Sequence, residues 1–194
     1  MIKPLTGTKI AVLVANGFEE KSFLAVQKMM LELGATLRVI STNQGLVNGW
    51  DSSEGTGAWG HNYAVDAPLN TALGVDYEAL IIPGGQRSLD KLKLTAHTRR
   101  FIGSFMAAEK PVAAMGDAVM LMAMCEQATD MKVTGPENTK DICLQSGADW
   151  IGSAMEADKN LLTGLCDGEH QEQYFSTMHD LMMQAGDNDM DQAA

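Results

Sequence analysis

Apolar positions along the chain fall into two alternating rhythms. Lys9–Val14 (KIAVLV) is a nearly continuous apolar run rich in β-branched residues. Such a run predicts a strand buried on both faces, as in a parallel sheet. Asn16 and Gly17 break it. Across residues 20–33 the apolar positions Phe23, Val26, Met29 or Met30 and Leu33 recur at helical spacing, which predicts an amphipathic helix stopped by Gly34. Thr36–Ser41 (TLRVIS) predicts the next strand. The three elements make a βαβ unit, whose crossover should be right-handed.

The remainder continues the alternation. Residues 43–62 read as loop, punctuated by Gly45, Gly49, Gly55, Gly57 and Gly60, and 63–67 as a short strand or hairpin arm. Ala79–Ile82 predicts a third buried strand, ending at Pro83-Gly84-Gly85, and 95–108 a helix. Residues 111–115 predict a fourth strand, followed at once by Gly116-Asp117 and a helical run over 118–127. A short strand is expected at 132–134, a helix at 138–146, and two strands at 150–157 and 160–163 turned at Asp158-Lys159. Residues 169–184 predict a last helix, with Met178 on its apolar face, and 185–194 a flexible acidic tail. Strands alternating with helices specify an α/β fold: a flavodoxin-like three-layer sandwich with a central, mainly parallel sheet. No repeat or linker divides it, so one domain over 1–184 is expected.

Composition narrows the function. With 45% hydrophobic residues in 194, the chain can fill one sizeable core. Its net charge of −11 and pI near 4.6 argue against nucleic acid or an anionic membrane as partner. No apolar run approaches the ~20 residues of a membrane span. The N-terminal stretch has no signal-peptide pattern, and the three cysteines are widely spaced; both favour a cytoplasmic setting. Cys125, Cys143 and Cys166 form no CxxC pair, no HExxH occurs, and His61, His97 and His179 stand apart. Neither a metal nor a cofactor is expected. The methionines Met115, Met120, Met122 and Met124 sit at strand and helix spacing, which favours adaptable core packing over a copper(I) site.

In an open doubly wound sheet, ligands bind beyond the carboxyl ends of the strands. Three segments fall there: residues 16–20, 83–87 and 116–118. Gly84 and Gly85 offer backbone N–H groups. Gly116-Asp117-Ala118 has the form of a nucleophile elbow, a sharp strand-to-helix turn that exposes one side chain to the cleft. Glu19 and Glu20 form either a carboxylate site, with Asp117, or a favourable first helical turn.

These segments carry a family resemblance. LVANGFEE, VDAPL, YEALIIPGGQRS, KPVAAMGDA and ADWIGSAMEADKNLLTG resemble the ThiJ/PfpI superfamily over nearly the whole chain. The resemblance implies a cysteine at the elbow, a histidine after it, and a glutamate on the first turn. This chain has Gly116, Asp117 and Ser22 at those positions. Its elbow is most similar to the ThiJ/PfpI-like domain at the C-terminus of large-subunit catalases, which has no nucleophile. The resemblance also implies that Gly85 and the backbone N–H of residue 117 are the oxyanion donors of active relatives, and that the chain forms a homodimer or higher homo-oligomer. Trp50, Trp59 and Trp150 are candidate interface anchors.

Glycine adopts the strained elbow conformation without steric penalty, so Gly116 should keep positive φ. Asp117 should then cap the following helix, or belong to an altered ligand site. The cysteines are expected away from the cleft. No catalytic residue is expected. Glu19, Glu20, Gly84, Gly85, Gly116 and Asp117 are the candidate small-ligand residues. Two functions compete: a non-catalytic binding or interaction module, and a hydrolase or lyase of small carbonyl or amide compounds with Asp117 or Glu19 as base.

Overall fold

A computed structural model describes residues 4–52 and 55–192, with the side chains of 187–192 excepted. In chain order the elements are β1 (Lys9–Val14), β2 (Phe18–Glu19), α1 (Glu20–Glu32), β3 (Thr36–Ser41), β4 (Leu46–Asp51), β5 (Ala58–Ala64) and β6 (Ala67–Pro68). Then come β7 (Ala79–Ile82), α2 (Gln86–Leu92), α3 (Ala96–Ala107), β8 (Val112–Met115), α4 (Val119–Met124), β9 (Lys132–Val133) and α5 (Lys140–Gln145). The chain closes with β10 (Asp149–Trp150), β11 (Met155–Asp158), β12 (Leu161–Gly164) and α6 (Gln171–Gln192).

The central sheet has seven strands in the order β11-β12-β8-β7-β1-β3-β6. All its pairings are parallel except β11 with β12. Strand β1 explains the unbroken apolar run. Ala11 and Leu13 enter the core under α2, α3 and α4 with Leu89, Phe101 and Leu121, whereas Ile10, Val12 and Val14 enter the opposite core with Phe23 and Val26 of α1 and Tyr174 and Met178 of α6. Two packed faces, each closed by helices, make the three-layer α/β sandwich.

Four elements differ from the sequence reading. Much of the stretch read as loop is the hairpin β4–β5, which joins β2 in a separate three-stranded sheet. Helix α2 follows Gly85 directly and was not anticipated. Its apolar residues Leu89 and Leu92 are too few over so short a helix to set a period. The stretch read as one strand over 150–157 divides: Asp149–Trp150 pairs with β9, and only Met155–Asp158 joins the central sheet. Helix α6 continues past Gln184 to Gln192, into the segment read as tail. Residues 53 and 54 of the expected loop, and 193 and 194 of the expected tail, lie outside the described residues. Among the described residues, no helix is long and apolar enough to cross a membrane.

Candidate functional site

Register brings the site together. Ile82 of β7 lies opposite Ala114 of β8, so Pro83–Gly85 emerges beside Met115–Asp117. On the other side of β7, β1 delivers the turn at Asn16-Gly17. The amide of Glu19 donates to the carbonyl of Gly84 at 2.8 Å, which locks the first loop to the second. Gly85, at φ +113°, permits this contact: a Cβ there would lie 2.6 Å from the Glu19 nitrogen.

Gly116 has φ +56°, so the elbow geometry is kept. A Cβ at Gly116 would meet no atom within 4 Å. The place of a reactive side chain is therefore open space facing the cleft. Asp117 does not cap the following helix. Gly116–Ala118 forms a single 3-10 turn with no side-chain cap, and α4 begins only at Val119. The Asp117 Oδ1 instead accepts the Gly85 amide at 2.8 Å. Burial raises the Asp117 pKa, opposed by hydrogen bonds from the Gly85 N–H and from its own N–H. The aspartate thus occupies the Gly85 amide, one of the two backbone donors that the family resemblance assigns to an oxyanion. Gly84 makes room for it: a Cβ there would come within 2.2 Å of Oδ1.

Glu19 and Glu20, adjacent in sequence, diverge. The Glu19 carboxylate lines the cleft and accepts the Ser52 hydroxyl at 3.0 and 3.1 Å. Its pKa is raised, first by burial and then by the negative charges of Asp117 and Asp51. Glu20 points away from the cleft and beneath the β4–β5 hairpin, so its reading as a cleft ligand is corrected. Only 5% exposed, its Oε1 accepts the Tyr63 hydroxyl at 2.6 Å and the His61 amide at 2.8 Å, and lies 3.0 Å from His61 Nδ1. Burial pushes its pKa up, but the hydrogen bonds from Tyr63 and His61 win and leave it lowered. A Cβ at Gly60 would lie 1.9 Å from the Glu20 Oε2, and one at Gly49 2.9 Å from its Cβ. Those glycines are spacers for a buried carboxylate.

The cleft is a cavity of about 590 Å³. Besides Glu19, Gly84, Gly85, Gly116 and Asp117, its walls include Lys21, Ser22, Trp50, Arg87 and Cys166. Ser22 therefore lies at the cleft, where the resemblance places a glutamate. Trp50, opposite Glu19 in the β2–β4 pairing, carries the Arg87 guanidinium 4.0 Å above its ring. Trp59 stands edge-on to Trp50 at 5.3 Å and is 57% exposed, whereas Trp150 packs against the core. Neither the hairpin nor its tryptophan platform was legible as part of the site.

Cys166 corrects an expectation. It is buried, yet it lines the cavity just beyond the end of β12. Burial and then the Asp167 charge push its thiol up to about 12, so it is protonated at neutral pH. Its neighbour in sequence, His170, faces Asp167 and Glu169 at 3.6 and 3.8 Å. Burial also raises Cys125 and Cys143, each to about 11. Met115, Met120 and Met122 are core residues, and Met124 is exposed. Among the described residues, no three His, Cys, Asp or Glu side chains gather as a metal would require.

Comparison with known proteins agrees with the fold. The model of the DJ-1/PfpI family matches residues 8–178. General stress protein 18 of Bacillus subtilis is 31% identical over 146 residues, covering 75% of this chain and 80% of that protein. The deglycase PH1704 of Pyrococcus horikoshii is 22% identical over 78% of this chain and 86% of its own length. A ThiJ/PfpI domain protein of Brachyspira murdochii superposes with a TM-score of 0.78 at 17% identity, covering 92% of this chain and 98% of that one.

Proposed function

The chain belongs to the DJ-1/PfpI family, and from that premise we propose that it is a non-catalytic member whose cleft binds a small molecule without thiolate chemistry. The observation that carries this reading is the Asp117 carboxylate held by the Gly85 amide, beside an elbow glycine with no side chain. Nucleophilic catalysis needs a thiolate or activated hydroxyl beside a base. Ser22 does not titrate near neutral pH, and Cys166 is held as a thiol by burial and Asp167. Backbone donors alone leave only residual rate when a nucleophile is removed, and here a carboxylate fills the one at Gly85.

A second reading rests on the carboxyl pair. Glu19 and Asp117 share the cavity, and both have raised pKa values, as general acid–base catalysis near neutral pH requires. It describes a divergent hydrolase or lyase of small carbonyl or amide compounds. One panel separates the two: purified protein with dicarbonyl, amide and peptide substrates, with and without iodoacetamide, beside Cys166→Ser and Glu19→Gln. The binding reading expects background in every arm. Turnover that iodoacetamide and Cys166→Ser both abolish would overturn it. Turnover lost only in Glu19→Gln would establish the second reading.

The family resemblance supports a cytoplasmic homodimer, and the name of the Bacillus subtilis relative supports a place in a stress response. Trp59 and Leu46, exposed at 57% and 55% on the β4–β5 hairpin, are the candidate anchors. Light scattering at micromolar concentration should give about twice 20.8 kDa; a monomer would count against it.

A further inference from the structure

The charges lining the cleft identify a class of ligand. Glu19 and Asp117 supply two carboxylates, and Lys21 and Arg87 two cations, all on the wall of one cavity of about 590 Å³. Among the described residues, none of these four forms an ion pair with another or with any other side chain. Opposite charges that share a confined space without neutralising one another leave a polarised cavity. The volume falls within the ~300–1,000 Å³ of small-molecule sites.

We propose that this cleft binds a zwitterion of the α-amino acid type, its ammonium group at Glu19 and Asp117 and its carboxylate at Arg87. The proposal rests on the reading of the cleft as a binding site. The arginine is built for that role. The Arg87 guanidinium carbon lies 4.0 Å from the centre of the Trp50 ring, which restrains it at the cavity wall, where a guanidinium can take a carboxylate through two N–H groups. The carboxylates are built for theirs. Asp117 holds its position through the Gly85 amide, and Glu19 through Ser52. Their raised pKa values reflect partly desolvated negative charge that an ammonium group would neutralise. A simple anion would meet Glu19 and Asp117, and a simple cation would leave Arg87 unpaired, so neither satisfies both ends.

The same chemistry occurs on a free amino acid and on a short peptide, and the test separates them. Wild-type protein is titrated, with ligand-observed NMR as readout, against a pool of the common L-amino acids and a pool of dipeptides at millimolar concentration. The strongest binder is repeated as its carboxamide and as its N-acetyl derivative. Each blocked form should bind at least about tenfold more weakly, one charged contact having been lost. Arg87→Gln should remove the discrimination against the carboxamide, and Glu19→Gln that against the N-acetyl form. A dipeptide favoured over its amino acids identifies a peptide terminus as the ligand; the reverse identifies a free amino acid. Blocked forms that bind as well as the zwitterion, or no binding by either pool, would overturn the proposal. The binding reading fails separately, through turnover in the substrate panel.

Discussion

Replacing Asp117 with alanine should turn an occupied backbone donor into an anion site. In the wild type, the Gly85 amide donates to the Asp117 Oδ1 at 2.8 Å, and the Asp117 amide also favours the charged carboxylate. An external carboxylate would have to displace a tethered one and would approach the remaining charge of Glu19. Alanine removes the tether and one negative charge, and frees the Gly85 amide. Hydrogen bonds to charged groups contribute about 1.5–3 kcal/mol each, so the freed Gly85 amide should strengthen acetate binding roughly ten- to a hundredfold over wild type. The freed Gly85 amide lines the cleft, so the loss of stability should stay near the lower end of the ~1–3 kcal/mol for an unsatisfied group. The assay is an acetate titration followed at the Gly85 and residue-117 amide resonances. Asp117→Asn is the control, because its side-chain oxygen can still accept the Gly85 amide. Acetate binding equally to wild type and Asp117→Ala, or absent from a folded Asp117→Ala, would refute self-occupation of this donor.

Gly116→Cys should fold, because its Cβ meets open space, at a cost of about 1–2 kcal/mol for a non-glycine residue in left-handed backbone; thermal denaturation measures the cost, and mass spectrometry should find the new thiol more reactive to iodoacetamide than Cys166. Glu20→Ala strands the Tyr63 hydroxyl and the His61 amide under the hairpin, and should destabilise by about 3 kcal/mol, at about 1–3 kcal/mol for each donor left unsatisfied; urea denaturation that barely moves would refute the buried clip. The lowered pKa of Glu20 gives stability that is present above the ordinary carboxyl range and is lost as pH falls through its folded value; Glu20→Gln should remove that acid-side loss. Glu19 and Asp117 have the opposite sign: with raised folded pKa values, they subtract stability as pH rises from the ordinary carboxyl range through those values. A Glu19→Gln/Asp117→Asn double variant should flatten the stability–pH curve on that side, and an unchanged slope would count against the assigned burial.

The parts of the fold that were legible are those set by burial alone. Strands β1, β3 and β7 fall on the expected residues because each carries a run of apolar side chains. For β1 and β7 the run is nearly unbroken, since both faces of the central sheet are covered. The β4–β5 hairpin was illegible for the opposite reason. Most of β5 is exposed, so no apolar alternation marks it. Gly49 and Gly60 look like loop punctuation, but they sit within strands because the Glu20 carboxylate leaves no room for a Cβ. That carboxylate belongs to α1, so the reason for the glycines lies outside their own segment. The missing hairpin then hid Trp50, and with it the platform beneath Arg87.

The elbow shows where local reasoning ends. A glycine between a buried strand and a helix is enough to predict positive φ, because the demand is local. An acid after it favours a cap by the same local logic, and that logic fails for Asp117. The β7–β8 register sets Ile82 against Ala114, and this places the Gly85 amide beside the Asp117 carboxylate across 32 positions of chain. A carboxylate close to a free backbone donor gains more from it than from the end of a short helix, because charge-assisted bonds in a partly desolvated cleft are stronger than a cap in water. The Gly85 amide, where the family resemblance places an anion-stabilising donor, is therefore met by an anion from the chain itself. Asp117, next to the elbow glycine, supplies it, so the cleft presents a negative charge where a free donor would otherwise stand.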